Sequence, residues 1–239
     1  MDGFSSSHQP PSAYKQVQWL DDSFVALLGL GWVINYVLMI RGTIKGEPRS
    51  MAFVALCCNI GWELTYTLVY PPAHRLELLF YVIGVSLNVF IMMGAARSAR
   101  IEWRRSPLLA AHAGHVLLAG TMACFSGHVV LAMEIGRLMA FVWGAGICQV
   151  VLSAGGLCLL LQRNSTEGTS WLLWSSRFLG SCSAIGCASV RYKYWPEAYG
   201  WLASPITYWI LVMFFLLDGT YGVCLYLVSR AEAKTGKRD

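Results

Sequence analysis

The stretch MAFVALCCNIGWELTYTLVYPP, residues 51–72, decides how this chain is read. From Met51 to Tyr70 it holds a single charged side chain, Glu63, and it stops at Pro71-Pro72. A run of that length matches the roughly 20 apolar residues that a helix needs to cross the hydrocarbon core of a bilayer. It lacks the polar stripe, returning every three or four residues, that a helix on a water-facing core would show. The run therefore predicts a membrane span with one carboxyl group inside it.

Outward from this stretch the pattern repeats. Spans are predicted at 23–40, 51–70, 76–96, 108–132, 138–162, 170–190 and 204–229, separated by short breaks that carry charge or proline, such as Gly46-Glu47-Pro48-Arg49, Arg104-Arg105-Ser106-Pro107 and Tyr194-Trp195-Pro196-Glu197. The expected fold class is all-α, a polytopic membrane protein built as a seven-transmembrane-helix bundle. A polar N-terminal tail takes 1–22, the membrane domain 23–229 and a basic C-terminal tail 230–239. Composition agrees, with 56% of the 239 residues hydrophobic and 13% charged, about half the charged fraction of a soluble domain. The formal charge of +5 comes with no basic cluster interleaved with aromatics outside the helix-flanking turns, so nucleic acid is excluded as a partner and the lipid bilayer is the expected one. The first 22 residues are polar and contain Pro10 and Pro11, unlike a cleavable signal, so the first span is expected to serve as its own anchor.

Lysine and arginine are unevenly divided between the two ends of these spans. Arg41, Lys45, Arg49, Arg97, Arg100, Arg104, Arg105, Arg163, Arg230, Lys234, Lys237 and Arg238 fall on one side, against Lys15, Arg75, Arg137, Arg191 and Lys193 on the other. The positive-inside rule then predicts a cytosolic C-terminus and a lumenal N-terminus, with the endoplasmic reticulum as the expected membrane. The sequon Asn164-Ser165-Thr166 lies on the cytosolic side in this topology.

Two acids lie deep in the apolar layer. Glu63 follows Arg49 by 14 residues and Asp218 precedes Arg230 by 12, which puts them about 21 and 18 Å from the cytosolic flanking charges. An ionised carboxylate at mid-membrane costs roughly 2.5 to 3.5 kcal/mol, so both are expected to face the bundle interior and to favour the neutral acid, a proton donor. Tyr66 and Tyr70 follow Glu63 at i+3 and i+7, and Tyr221 follows Asp218 at i+3, so aromatic groups share the face of each acid. Such a cavity would be acidic and walled by π faces that stabilise a cation. The plainer reading is that each acid makes only an interhelical hydrogen bond. Arg177, the one basic residue well inside a span, is expected to pair with Asp218, Glu63 or backbone carbonyls, or to snorkel toward the cytosol.

Other chemistry is thinly represented. The cysteines all fall inside apolar blocks with no spacing of paired zinc ligands, and read as small packing residues. His112, His115 and His128 read equally as proton shuttles or as helix-to-helix hydrogen bonds. A retinal-type pigment is disfavoured because every lysine lies outside the spans, and diphosphate-ionising chemistry because no two acids lie close together within a span. Two classes remain: an enzyme using a buried acid on a lipophilic substrate, and a proton-coupled carrier or seven-helix receptor using Glu63 and Asp218 as intramembrane proton sites.

Several ordered motifs add a resemblance that covers nearly the whole chain. They are Met1-Asp2-Gly3-Phe4, LCCNIGWELTYTLVYP (56–71), SGHVVLAMEIG (126–136), SAGGLC (153–158), SRFLGSC (176–182), YWPEAYGWLASP (194–205) and LDGTYGVC (217–224). Together they resemble the small integral-membrane terpene cyclases of fungal meroterpenoid and indole-diterpene biosynthesis, of the paxilline, andrastin and pyripyropene type. The resemblance implies a lipophilic prenylated aromatic or polyketide substrate carrying an epoxide. An upstream prenyltransferase and flavin epoxidase in the same pathway would supply it. It implies an isomerising, lyase-like cyclisation begun by protonation of that epoxide, with no cofactor. It also implies that the acids of the WE and DG motifs, here Glu63 and Asp218, are the catalytic pair, with Trp62, Tyr66, Tyr221 and Arg177 as candidate substrate contacts. Both amide variants of that pair are expected to stay inserted and abundant yet nearly inactive.

Overall fold

The computed structural model describes residues 9–72, 75–103 and 106–235, and every regular element among them is helical. The helices are α1 Ser12–Ile44, α2 Phe53–Leu64, α3 Arg75–Glu102, α4 Pro107–Ala111, α5 Ala113–Ile135, α6 Arg137–Arg163, α7 Trp171–Tyr194, α8 Pro196–Tyr199 and α9 Pro205–Thr235. One wide π turn, Thr65–Val69, continues α2, and a 3₁₀ turn, Gly200–Ala203, joins α8 to α9.

Local chemistry sets several of these ends. Pro107 and Pro196 open α4 and α8, where a missing N–H costs nothing. The Ser170 hydroxyl caps α7 by accepting from the Leu173 N–H at 3.1 Å. Asn164 closes α6 in the left-handed region at φ 49°, and its N–H donates to the Leu160 carbonyl at 2.9 Å. The predicted fourth span is divided at His112 into α4 and α5. By length and composition 5 helices are able to cross a membrane: α1, the Leu78–Ala99 part of α3, α5, α6 and α9. The Phe53–Val69 segment is apolar but shorter. α7 has 24 residues, yet Ser175, Ser176, Arg177, Ser181 and Ser183 lower its apolar character.

The polarity of the bundle is inside out relative to a soluble protein. Leu27, Leu30, Phe90, Leu118, Val212, Leu216 and Val223 stand exposed on its outside, while Asn35, Asn59, Glu63, Asn88, His128, Arg177 and Asp218 are buried within. Lipid takes the outer face, and helix association then rests on close packing and interior hydrogen bonds. α1 lies along α7, α6 along α9, and α2 packs among α3, α5 and α6. The α1–α7 crossing needs glycine. A Cβ on Gly31 would fall 2.7 Å from the Ser176 carbonyl oxygen and 2.9 Å from the Gly180 Cα.

The first helix starts earlier than the sequence suggested, because helix continues unbroken from Ser12 through residues read as polar tail. It carries Asp21 into the bundle at 0% exposure. There the Tyr14 hydroxyl donates to Asp21 Oδ2 at 2.8 Å, and the Arg191 guanidinium donates to both carboxylate oxygens at 2.9 to 3.1 Å. The sequence reading placed this acid outside the membrane domain, since nothing local reveals a partner 170 residues away.

Candidate active site

Glu63 sits at the meeting of α1, α2 and α3 and is 5% exposed. Tyr36 of α1 donates its hydroxyl to Glu63 Oε1 at 2.8 Å. Asn88 of α3 presents its Nδ2 to both carboxyl oxygens, 2.9 Å from Oε1 and 2.8 Å from Oε2. Asn59, one turn before Glu63 on α2, donates to the Tyr36 oxygen at 2.9 Å and lies 3.4 Å from Oε1. All these donors are neutral, and among the described residues no lysine, arginine or histidine is paired with this carboxyl. Asn88 Oδ1 is itself buried without a partner, which leaves an open acceptor on the residue that grips the acid. α3 turns Gly84 toward the site, where a Cβ would stand 3.5 Å from Glu63 Oε1.

Asp218 is embedded among a different set of helices, α6, α7 and α9, at 0% exposure. Arg177 of α7 donates Nη2 to Oδ1 in an ion pair, and Ser153 of α6 donates its hydroxyl to Oδ2. Gln149, one turn before Ser153, adds its Nε2 to Oδ2 at 3.1 Å and is fixed by Ser181, which donates to Gln149 Oε1 at 2.9 Å. Of the partners open to Arg177 in the sequence, the structure selects Asp218. The guanidinium also lies 5.2 Å from the centre of the Tyr221 ring, whose hydroxyl is 2.6 Å from Thr169 Oγ1.

The six residues singled out from sequence thus fall into two groups. Trp62, Glu63 and Tyr66 belong to α2 and its π turn; Arg177, Asp218 and Tyr221 share the α7–α9 interface. The acids share no hydrogen-bonding partner among the described residues. Trp62 donates Nε1 to the Phe141 carbonyl at 3.0 Å and packs with Tyr66, Tyr81 and Phe141 at ring separations of 4.9 to 6.1 Å. This makes an aromatic box beside Glu63. A cavity of about 530 Å³ opens where the ends of α1 and α3, the start of α2 and the loop before α7 meet, with Arg41, Arg49 and Arg97 among its walls. Neither acid lines it. Its inner wall includes Met39, Leu56 and Ile91, and its side includes Thr169, the partner of Tyr221. Met39 and Ile91 follow Tyr36 and Asn88 at i+3, so roughly 5 Å of helix separates this wall from the donors on Glu63.

Tyr36, Asn88, Gln149 and Ser153 went unnoticed in the sequence. Asn59 was readable in principle, as an amide at i−4 from an intramembrane acid. The others sit on separate helices, and their polarity within apolar blocks was the only signal.

Comparison with known proteins settles the class. The model for Pyr4-like transmembrane terpene cyclases matches residues 4–231. Terpene cyclase idtB of Claviceps paspali is 63% identical over 238 residues, 100% of each chain. Terpene cyclase terB of Tolypocladium album is 56% identical over 239 residues, 100% of this chain and 99% of the relative. Terpene cyclase paxB of Penicillium paxilli is 45% identical over 236 residues, 99% of this chain and 97% of the relative. No solved structure matches the chain. The full-length agreement with cyclases decides for the enzyme over the carrier or receptor: the chain belongs to the Pyr4-like transmembrane terpene cyclases.

Proposed function

We propose that this membrane terpene cyclase closes rings on a prenylated aromatic or polyketide substrate by protonating its terminal epoxide, and that Glu63 gives the proton. The observation that carries this reading is the contrast in partners. Glu63 is buried with only the neutral side chains of Tyr36, Asn59 and Asn88 on its oxygens, so no cation holds it, whereas Asp218 is ion-paired to the Arg177 guanidinium. Transfer of the Glu63 proton to the epoxide oxygen breaks a C–O bond as a neighbouring alkene supplies the electrons for a new C–C bond. The resulting cation passes along the chain until a proton is lost, so substrate and product have equal mass. Trp62, Tyr66 and Tyr221 offer π faces to the travelling charge, and Asp218, held by Arg177, Ser153 and Gln149, is the second acid of the pair. Exclusion of water by the apolar bundle protects the cation from capture.

The fold reading that goes with this is seven crossings: α1, α2 with its π turn, α3, α4 with α5, α6, α7 and α9. The polar residues of α7 that weaken its apolar signal, Arg177, Ser176 and Ser181, are buried in the bundle, which removes the objection to its crossing. An odd number of crossings puts the termini on opposite sides, with the C-terminus cytosolic in the endoplasmic reticulum membrane. The prenyltransferase and flavin epoxidase that make such a substrate would work upstream. In sealed microsomes the sequon at Asn164 should stay unglycosylated, and a glycosidase-sensitive mass shift lost in Asn164→Gln would reverse the topology.

The deciding experiment incubates membranes containing the protein with epoxidised prenyl indoles and epoxidised prenyl polyketides. A product of unchanged mass and altered retention is expected, and it should vanish with Glu63→Gln. Normal turnover by abundant Glu63→Gln protein would remove Glu63 from the chemistry.

A further inference from the structure

Cys58, His128 and Cys148 are far apart in sequence and come from three helices, yet their ligand atoms converge. Cys58 Sγ lies 3.3 Å from Cys148 Sγ and 3.8 Å from His128 Nε2, and Cys148 Sγ lies 3.6 Å from the same nitrogen. Two thiols and an imidazole nitrogen within 4.8 Å of one another form a donor set that packing alone does not require. Tetrahedral zinc, with Zn–S about 2.3 Å and Zn–N about 2.0 Å, places its ligand atoms roughly 3.5 to 3.8 Å apart. A centre about 2.2 Å from all three observed atoms would stand about 0.7 Å out of their plane, the pyramid of a tetrahedral site with one direction left over.

The surroundings suit a metal as well as the distances do. His128 and Cys148 are buried, and the imidazole is seated against bare backbone: a Cβ on Gly144 would lie 3.1 Å from His128 Nδ1. Thiolate and imidazole are the ligand types that select zinc over the magnesium and calcium common in cells. None of these residues takes part in the hydrogen bonding around Glu63 or Asp218.

We propose that Cys58, His128 and Cys148 form a zinc site that clasps α2, α5 and α6 together inside the bundle. Binding displaces the two thiol protons, so the metal enters as the dication and both protons leave. The site holds α2 five residues before Glu63, and its role is to fix that helix rather than to touch substrate.

The test uses the full chain purified in detergent, stripped with a chelator and then titrated with zinc alone and with cobalt(II) alone. About one equivalent of zinc should be retained through gel filtration, and cobalt should give a thiolate-to-metal charge-transfer band that zinc removes. Zinc affinity should fall by at least about tenfold in Cys148→Ser and in His128→Gln, and stay unchanged in Cys158→Ser, whose thiol is exposed elsewhere. Should either variant fail to fold, the cobalt band of the unaltered protein still decides. Failure to retain zinc, absence of that band, equal loss in Cys158→Ser, or a Cys58–Cys148 disulfide found by mass after alkylation would each overturn the site.

Discussion

Glu63 and Asp218 meet the same problem, an acid in an apolar bundle, and the two halves of the molecule answer it differently. Around Glu63, α1, α2 and α3 supply a phenol and two amides. Around Asp218 of α9, α7 supplies a guanidinium and α6 a hydroxyl and an amide. Asp21, the third buried acid described, follows the second pattern with Arg191 and Tyr14. Ion pairing is thus the bundle's ordinary way to hold an acid, and Glu63 is the exception. On the proposed mechanism, the exception offers an acid that no cation holds.

The comparison is most exposed to the amide variants. Glu63→Gln should lower turnover by roughly 10²- to 10⁴-fold, the usual contribution of a general acid, at near-normal abundance. The new amide is tolerated because Asn88, whose Oδ1 has no partner, need only turn over to accept from it. Asp218→Asn should instead lose folded protein, because it leaves the Arg177 guanidinium buried and unpaired, a change that costs about 3 to 5 kcal/mol. Thermal unfolding in detergent separates the two, and equal stability of both variants would dissolve the contrast. This revises the expectation from sequence that both amide variants would be equally abundant.

A double substitution sharpens the same point. Arg177→Met alone strands Asp218 and should destabilise by a similar amount, whereas Arg177→Met with Asp218→Asn should recover much of the loss, a coupling read from a double-mutant cycle. Next in size is Tyr36→Phe, which removes one neutral donor from Glu63. It should cost about 1 kcal/mol or less in a membrane bundle and change turnover by no more than about tenfold. A larger stability loss would mean that the phenol holds the helices and not the acid.

The smallest effect lies beyond the lipid, where Glu232 near the end of α9 accepts from the Thr166 hydroxyl at 2.5 Å and the Thr166 N–H at 2.9 Å. These bonds hold its carboxyl below the ordinary value. The contribution is therefore present above the usual carboxylate range and fades as pH falls through the lowered value. Glu232→Gln should flatten that acid-side slope of loop protection in hydrogen exchange and leave neutral-pH turnover unchanged.

What was legible in the sequence follows what each residue announces alone. Glu63 and Asp218 stood out because a charge in an apolar run is costly wherever its partners are. Arg177 stood out for the same reason, but its partner did not, since the choice among Asp218, Glu63 and the backbone depends on how α7 is turned in the bundle. Span periodicity located the helices within a few residues at most ends, yet failed at Ser12, where polar residues continue a helix that tertiary partners cover. The convergence of Cys58, His128 and Cys148 left no trace, because a thiol in an apolar block looks the same whether it packs or ligates.

The pairing of α1 with α7 and of α6 with α9 also bears on how the chain is made. The Glu63 cluster draws on three helices adjacent in sequence, so it can close as soon as the third has left the ribosome. Arg177 must wait for α9 before its carboxylate exists in the membrane at all. During that interval the growing chain carries an unmatched cation, and a stop shortly before Asp218 should yield a product that quality control removes, although the hydrogen bonds around Glu63 are already made.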